Sequence, residues 1–379
     1  MFGRYRGTRL QRSIDRPLIT MLDRKPLLRY GDMVLIRAWA NFFLYGGVLT
    51  GPFPANTLAT RNIGGQVCGQ FEGTRINREE KSQDITVMTG GWTAYGGGTG
   101  TAGDVGADPL GNVTADRVTL GADANSCIYK GAGGPLVPPI PGSPATISGW
   151  MCTESGTKTF RLGWTDRDGV DQLSADFTAT TAWQYFSFSI ASVGVGGASL
   201  YNKIVNGSAG AAGSILVWGI QLEEYIFSSS YIPTAGSVIT RPPDVGYWPA
   251  AKVPAAIKNA TGPWSVDVYP EWSSAESPIA AYVMSWINDW FGLVWSVNRF
   301  QWWAVGGMKG ETAALTFSRN QKMAITIDPI ALTITISGAT TGNGTTPLVA
   351  FAGTGAADVY CGISASLTYP FFGLLSEPY

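Results

Sequence analysis

Asp267, Glu271 and Glu276 are the carboxylates grouped closely enough to suggest acid–base chemistry in the last third of the chain. Cleaving a glycosidic bond takes two such groups, about 5–5.5 Å apart for retention or about 6.5–9.5 Å apart for inversion. Residues four apart on one strand face stand about 13 Å apart at ~3.3 Å per residue. Pro270 interrupts any strand through them, and no E-x-D-x-x-E arrangement is present. The chain has no histidine, so it lacks the commonest general base and the commonest metal ligand. Ser-His-Asp, Cys-His and zinc-hydrolase chemistry are therefore excluded in their usual forms. The expectation is a protein that is not an enzyme.

Other motifs have simpler readings. Asp166, Asp168, Asp171 and Asp176 surround an Asp166-Arg-Asp-Gly169 turn. It resembles the start of a calcium loop, but the twelfth position, where a bidentate glutamate belongs, is Phe177. A polar hairpin turn fits better. Gly96-Gly-Gly-Thr-Gly-Thr-Ala-Gly103 lacks the lysine and following helix of a phosphate loop and reads as a flexible loop. Cys68, Cys127, Cys152 and Cys361 form no C-x-x-C pair, which disfavours zinc and dithiol redox chemistry. Three complete pairings are open; Cys127 and Cys152 fall in one predicted domain and could pair, whereas a reducing compartment would favour reduced, buried thiols.

Aromatic side chains are the remaining candidates for binding. Trp286, Trp290, Trp295, Trp302 and Trp303 form the densest group. Flat indole faces can stack on sugar rings, and they also dominate cores and interfaces. Packing is the favoured reading for this group. Trp302 and Trp303 are adjacent, so a strand points them to opposite faces. Trp92 and Tyr95 flank the glycine-rich loop and are expected at the surface. Trp150, Trp164, Trp183 and Trp218 alternate with small or polar residues and are expected in a core.

These residues must be positioned by strands. Hydrophobic residues make up 45% of the 379 and charged residues 14%, against a usual charged share of about 25%. Short alternating runs recur from Ile85 onward, separated by Gly, Asn and Asp clusters, which indicates an all-β sandwich. Lys322–Asp328 and Ala331–Ser337 are two β-branched runs around a short turn, the clearest hairpin signal. In ILVWGIQLEEYIFSSSYIPTAGSVITRPPD, from Ile215 to Asp244, alternation places Leu216, Trp218, Ile220 and Leu222 together on a buried face. The division expected is an arm over 1–84, a sandwich over 85–225, a proline-rich linker over 226–262 and a second sandwich over 263–379. Within the arm, apolar spacing predicts a helix over 31–50. The run 33–49 is interrupted by Arg37 and Asn41 and is short for a membrane span of about 20 residues; it is read as docking or core, without membrane insertion.

Charge is uneven. Residues 1–84 carry 13 Lys and Arg against 7 Asp and Glu, and the rest carry 13 against 20. A basic terminus on an acidic body suggests a separate partner for the terminus, or simply a solvated arm. No secretory leader is expected, because Arg4, Arg6, Arg9 and Arg12 are not followed by an apolar core and a cleavage site.

The W-G-x-Q-L-E-E strand, followed by S-Y-I-P-T and T-R, resembles the last strand and exit segment of a carbohydrate-binding-module-like jelly roll that recurs in bacteriophage tail and fibre proteins. The resemblance spans roughly Asp84 to Asp244 and includes a W-T opening, a T-A-D-R-V strand, an S-G-W strand and a W-Q-Y-F strand. The order of strands after Trp264 resembles a concanavalin-like or laminin-G-like sandwich. These resemblances imply two tandem antiparallel sandwiches, jelly-roll then concanavalin-like, behind an extended, partly helical anchor. They imply a structural virion protein, assembled in the host bacterial cytoplasm and projecting as a fibre, spike or decoration. Its partners would be other virion proteins (capsid, neck or tail), its own copies as a homotrimer, and bacterial surface glycans. Arg4, Arg6, Arg9, Arg12, Arg16, Trp39, Phe42 and Phe43 would anchor it. Trp92, Tyr95, Trp286, Trp290, Trp302 and Trp303 would contact glycan or subunits. No cofactor is implied, beyond the structural calcium that such jelly rolls often carry, here near Glu223. An adhesin and a glycan depolymerase are the alternatives.

Overall fold

The computed structural model describes the strands at 34–36, 41–45, 48–53, 60–63 and 66–71 by their backbone. It further describes 74–131 except 88, then 141–270, 272–276, 280–286, 291–304 except 297, 307–350, 359–361 and 373–376. These residues form antiparallel sheets with a few short helical turns.

Residues 75–244 build one sandwich. Its first sheet runs in the order Asp171–Leu173, Lys158–Thr165, Tyr201–Asn206, Cys127–Gly131, Thr93–Tyr95. The second runs Gln184–Ile190, Ala145–Cys152, Gly213–Glu223, Val113–Leu120, Gly100–Ala107. The glycine-rich run expected as a loop is thus an edge strand from Gly100 onward. Phe160, Leu162, Trp164 and Ile204 of the first sheet meet Val118, Ile147, Met151, Val217 and Leu222 of the second in a buried core. Burial of this apolar area drives the two sheets together.

The longest strand corrects its own sequence reading. Gly219 adopts φ +66°, and the register with Ala145–Cys152 slips between Ser148 and Trp150. An extra residue in one strand reverses the faces beyond it. Leu216 and Trp218 therefore pack on the outer side with Trp150, Cys152 and Tyr231, while Ile220 and Leu222 join the inter-sheet core. Alternation placed all four on one face.

The second sandwich packs two seven-stranded sheets. One contains Val245–Trp248, Val359–Cys361, Ala280–Trp286, Phe291–Ser296, Arg299–Ala304 and Gly307–Glu311; the other contains Gly344–Pro347, Thr333–Ser337, Met323–Asp328, Trp264–Pro270 and Gly373–Ser376. The expected hairpin is present, with Ala324 opposite Ser337 and Asp328 opposite Thr333. Trp248, Trp264, Trp272, Trp295 and Trp302 fill the core between the sheets.

Both sheets also recruit strands from before residue 74. Val34–Ile36 pairs with Val245–Trp248, and Gln66–Phe71 pairs with Gly373–Ser376 and Thr60–Ile63. Where spacing predicts a helix over 31–50, the described residues are strands, with Asn41–Tyr45 and Val48–Phe53 forming a hairpin. Its β-branched and aromatic residues suit strand pairing as well as helical spacing. The stretch 226–262 likewise contributes to packing: Phe227, Trp248, Val253 and Ile257 belong to the core. The jelly roll is therefore inserted into the second sandwich. Arg75–Asn77 and Ile239–Arg241 pair where the chain enters and leaves it.

Candidate functional site

The motif that carries the resemblance is a structural lock. Gln221 accepts a hydrogen bond from the Ile232 N–H at 2.7 Å and donates to Glu223 at 2.8 Å. Glu223 also accepts from the Ser229 N–H and hydroxyl at 2.8 and 2.6 Å. Asn77 accepts from the Leu222 N–H and donates to the Ile232 carbonyl. Tyr231 lies 4.7 Å from the Trp218 ring, with its hydroxyl 2.7 Å from Ser82 Oγ. Thr234 donates to the Glu79 carbonyl at 2.6 Å. Every one of these side chains is buried. Buried polar groups must be paired, and this network pairs them by folding the exit segment back on the sheet. Arg75 lies 3.8 Å from Glu223 and 3.6 Å from the Tyr225 ring centroid. A carboxylate so engaged, with a guanidinium beside it, does not fit a cation, and among the described residues no group of three His, Cys, Asp or Glu could hold a metal.

Asp166 is also committed. It accepts from the Asp168 and Val170 N–H groups and from Gln172, which makes the expected polar turn. Cys127 and Cys152 are free buried thiols on opposite outer faces of the jelly roll, so they do not pair.

A groove of about 510 Å³ lies on the outward face of the first jelly-roll sheet. Strand alternation supplies it: Cys127 and Tyr129, then Tyr201, Lys203 and Val205, then Thr165, then Asp171 and Leu173, with Tyr95 and Asn125 at the rim. The register sets Tyr129 opposite Lys203, Thr165 opposite both Tyr201 and Asp171, and Cys127 opposite Tyr95. The rings of Tyr129 and Tyr201 meet edge to face, 5.4 Å apart at 87°. Two glycines shape the floor. A Cβ on Gly131 would sit 2.4 Å from the Tyr201 ring, and one on Gly163 would sit 2.3 Å from the Leu173 side chain. Their absence lets both side chains lie across the neighbouring strand.

Two polar groups of the groove converge on one atom. Lys203 Nζ donates to Asp171 Oδ1 at 2.7 Å, and the Thr165 hydroxyl donates to the same oxygen at 2.5 Å. Burial pushes the Asp171 carboxyl up, but the hydrogen bonds from Lys203 and Thr165 and the lysine charge outweigh it and hold the group below its ordinary range. Asp171 Oδ2, the Asn125 side-chain amide and the three tyrosine hydroxyls make no hydrogen bond to a described residue. Stackable rings beside free donors and acceptors can hold a flat, hydroxyl-rich molecule.

Of the aromatics singled out in the sequence, only Tyr95 lines this groove, at 61% exposure. Trp92 is 1% exposed and belongs to the inter-sheet core, because parity puts Trp92 and Ala94 inside and Thr93 and Tyr95 outside. Trp302 is buried edge-on to Trp264, 5.6 Å away. Trp303 points to the other face, as adjacency requires, half-buried with its indole N–H on Gln301. Trp286 lies in a strand whose side chain there is outside the described residues, as are Trp290, Trp39 and Arg4, Arg6, Arg9, Arg12 and Arg16. Phe42 and Phe43 are described only as strand backbone. Tyr129, Tyr201 and Lys203 were missed, although strand alternation around Ile128 and Ile204 points them outward.

No family model and no curated protein matches the chain. Among solved structures it is similar to the CBM22-1 xylan-binding domain of Paenibacillus barcinonensis Xyn10C, with 18% identity over 42% of this chain and 97% of that one, at a TM-score of 0.30. The tandem CBM22-1-CBM22-2 domain of the same protein aligns at 13% identity over 80% of this chain and 96% of that one, with a TM-score of 0.29. The enzymatically active domain of bacteriophage CBA120 tailspike protein 4 aligns at 13% identity over 38% of this chain and 21% of that one, with a TM-score of 0.26.

Proposed function

We propose that the jelly roll binds a sugar chain along the groove floored by Tyr129 and Tyr201. One observation carries this reading: these rings and Tyr95 lie beside unengaged polar groups on an open sheet face, whereas Trp92, Trp150, Trp164 and Trp218 are all buried. The protein binds without cleaving. Asp171 is the one acid among the described groove residues, and glycoside hydrolysis takes two. A glycan-array screen of the full-length protein, followed by titration of the best ligand, tests the reading. Each aromatic contact contributes roughly 0.5–1.5 kcal/mol, so the Tyr129→Ala/Tyr201→Ala double variant is expected to bind about tenfold more weakly. Full affinity in that variant sinks the proposal.

The sequence resemblance of Ile215 to Asp244 to phage tail and fibre proteins supports a wider setting. In it, the chain is a non-enzymatic virion component whose copies, as a homotrimer, present many weak sugar sites at once and gain avidity. The basic segment 1–33 would attach it to another virion protein, its arginines forking onto carboxylates. Deleting 1–33 removes Arg4, Arg6, Arg9, Arg12 and Arg16 and none of the described strands. The expected result is loss of incorporation into particles with an unchanged melting temperature. Normal incorporation contradicts the anchoring role.

A further inference from the structure

Resting on the sugar-binding reading, we propose that the groove selects an uncharged glycan, reads its hydroxyls with the Asp171–Lys203 pair, and rejects anionic sugars because Asp171 holds Lys203, the one cation among the described groove residues. Among the described residues, the charged groups on the groove wall are Asp171 and Lys203. They neutralise each other at 2.7 Å. The Lys203 side chain is 15% exposed and the Asp171 side chain 53%, so an incoming molecule meets the carboxylate before the ammonium. Asp171 Oδ1 already accepts from Lys203 and Thr165. Its Oδ2 is left to accept from a sugar hydroxyl, a charge-assisted bond that an uncharged donor can make and a carboxylate cannot.

The neighbouring charges do not alter this balance. Arg161, two residues from Gly163 on the same strand face, lies 3.8 Å from Asp176 and donates to the Asn206 and Ala124 carbonyls. Asp166, behind the hairpin, is bound by its own turn. The Cys127 thiol in the groove floor is pushed up by burial, against the pull of Lys203, and stays uncharged. A uronate or other acidic sugar would therefore bring a second negative charge to Asp171 and find no free cation among the described groove residues. The discrimination is achieved by an unfavourable contact with the wrong ligand as well as a favourable one with the right ligand.

The test uses the full-length protein and a panel of neutral oligosaccharides, each paired with its C6-oxidised uronate form, titrated calorimetrically. Wild type is expected to bind the neutral member at least tenfold more tightly. Asp171→Asn keeps the shape and releases the Lys203 ammonium, so it is expected to lose neutral affinity and gain affinity for the oxidised member, narrowing or inverting the ratio. Asp171 is half-exposed, and an unchanged melting temperature would show that the variant is folded. An unchanged ratio in Asp171→Asn, or a wild-type preference for the oxidised member, overturns the selectivity while leaving sugar binding in place. Failure of wild type to bind either member overturns both.

Discussion

Gly219 decides what the jelly roll's longest strand buries. Its positive φ creates the slip that sends Trp218 outward and Ile220 inward. A Cβ there would lie 3.1 Å from the Trp150 ring and 3.3 Å from that of Tyr231. Non-glycine residues in this backbone region cost about 1–3 kcal/mol. Gly219→Ala is therefore expected to destabilise the protein by about that amount in denaturant unfolding, and an unchanged midpoint would contradict the role given to the bulge. The glycine was visible in the sequence, but its φ was not: alternation has no term for an inserted residue. The groove residues were hidden for a related reason. In CIYKG, Lys130 points inward onto the buried Glu79, 2.5 Å away, and in YNKIVN, Asn202 and Asn206 point inward beside Ile204. Polar residues on the core side and tyrosines on the open side reverse the usual pattern.

At the scale of elements, the strand-rich runs after Ile85 were legible because period-2 alternation survives in most of them. Met323–Asp328 alternates buried and half-buried, and its partner Thr333–Ser337 alternates in step. The strands before residue 74 were not legible as part of the second sandwich. Their partners lie far along the chain, and pairing over such separations leaves no local trace. Gln66–Phe71 lies between Thr60–Ile63 and Gly373–Ser376. Removing residues 1–73 strips those strands and exposes the edge of Gly373–Ser376. The expected result is loss of the second sandwich's cooperative unfolding, with the jelly-roll transition retained. A full-amplitude second transition in the truncated protein would contradict the inserted topology.

Over the whole molecule, the chain leaves the second sandwich at Arg75, builds the jelly roll, and returns at Arg241 through paired strands. The lock around Gln221 and Glu223 fastens that junction, which is why the most recognisable motif of the sequence is buried. Function is assigned elsewhere, to the sheet face that presents Tyr129, Tyr201, Lys203 and Asp171. Hydrogen–deuterium exchange of the full-length protein, with and without the best-binding oligosaccharide from the array, tests that assignment most directly. Slowed exchange is expected in 127–131, 165–173 and 201–205. Slowed exchange confined to 291–304, or no change in the jelly roll at saturating ligand, would contradict it.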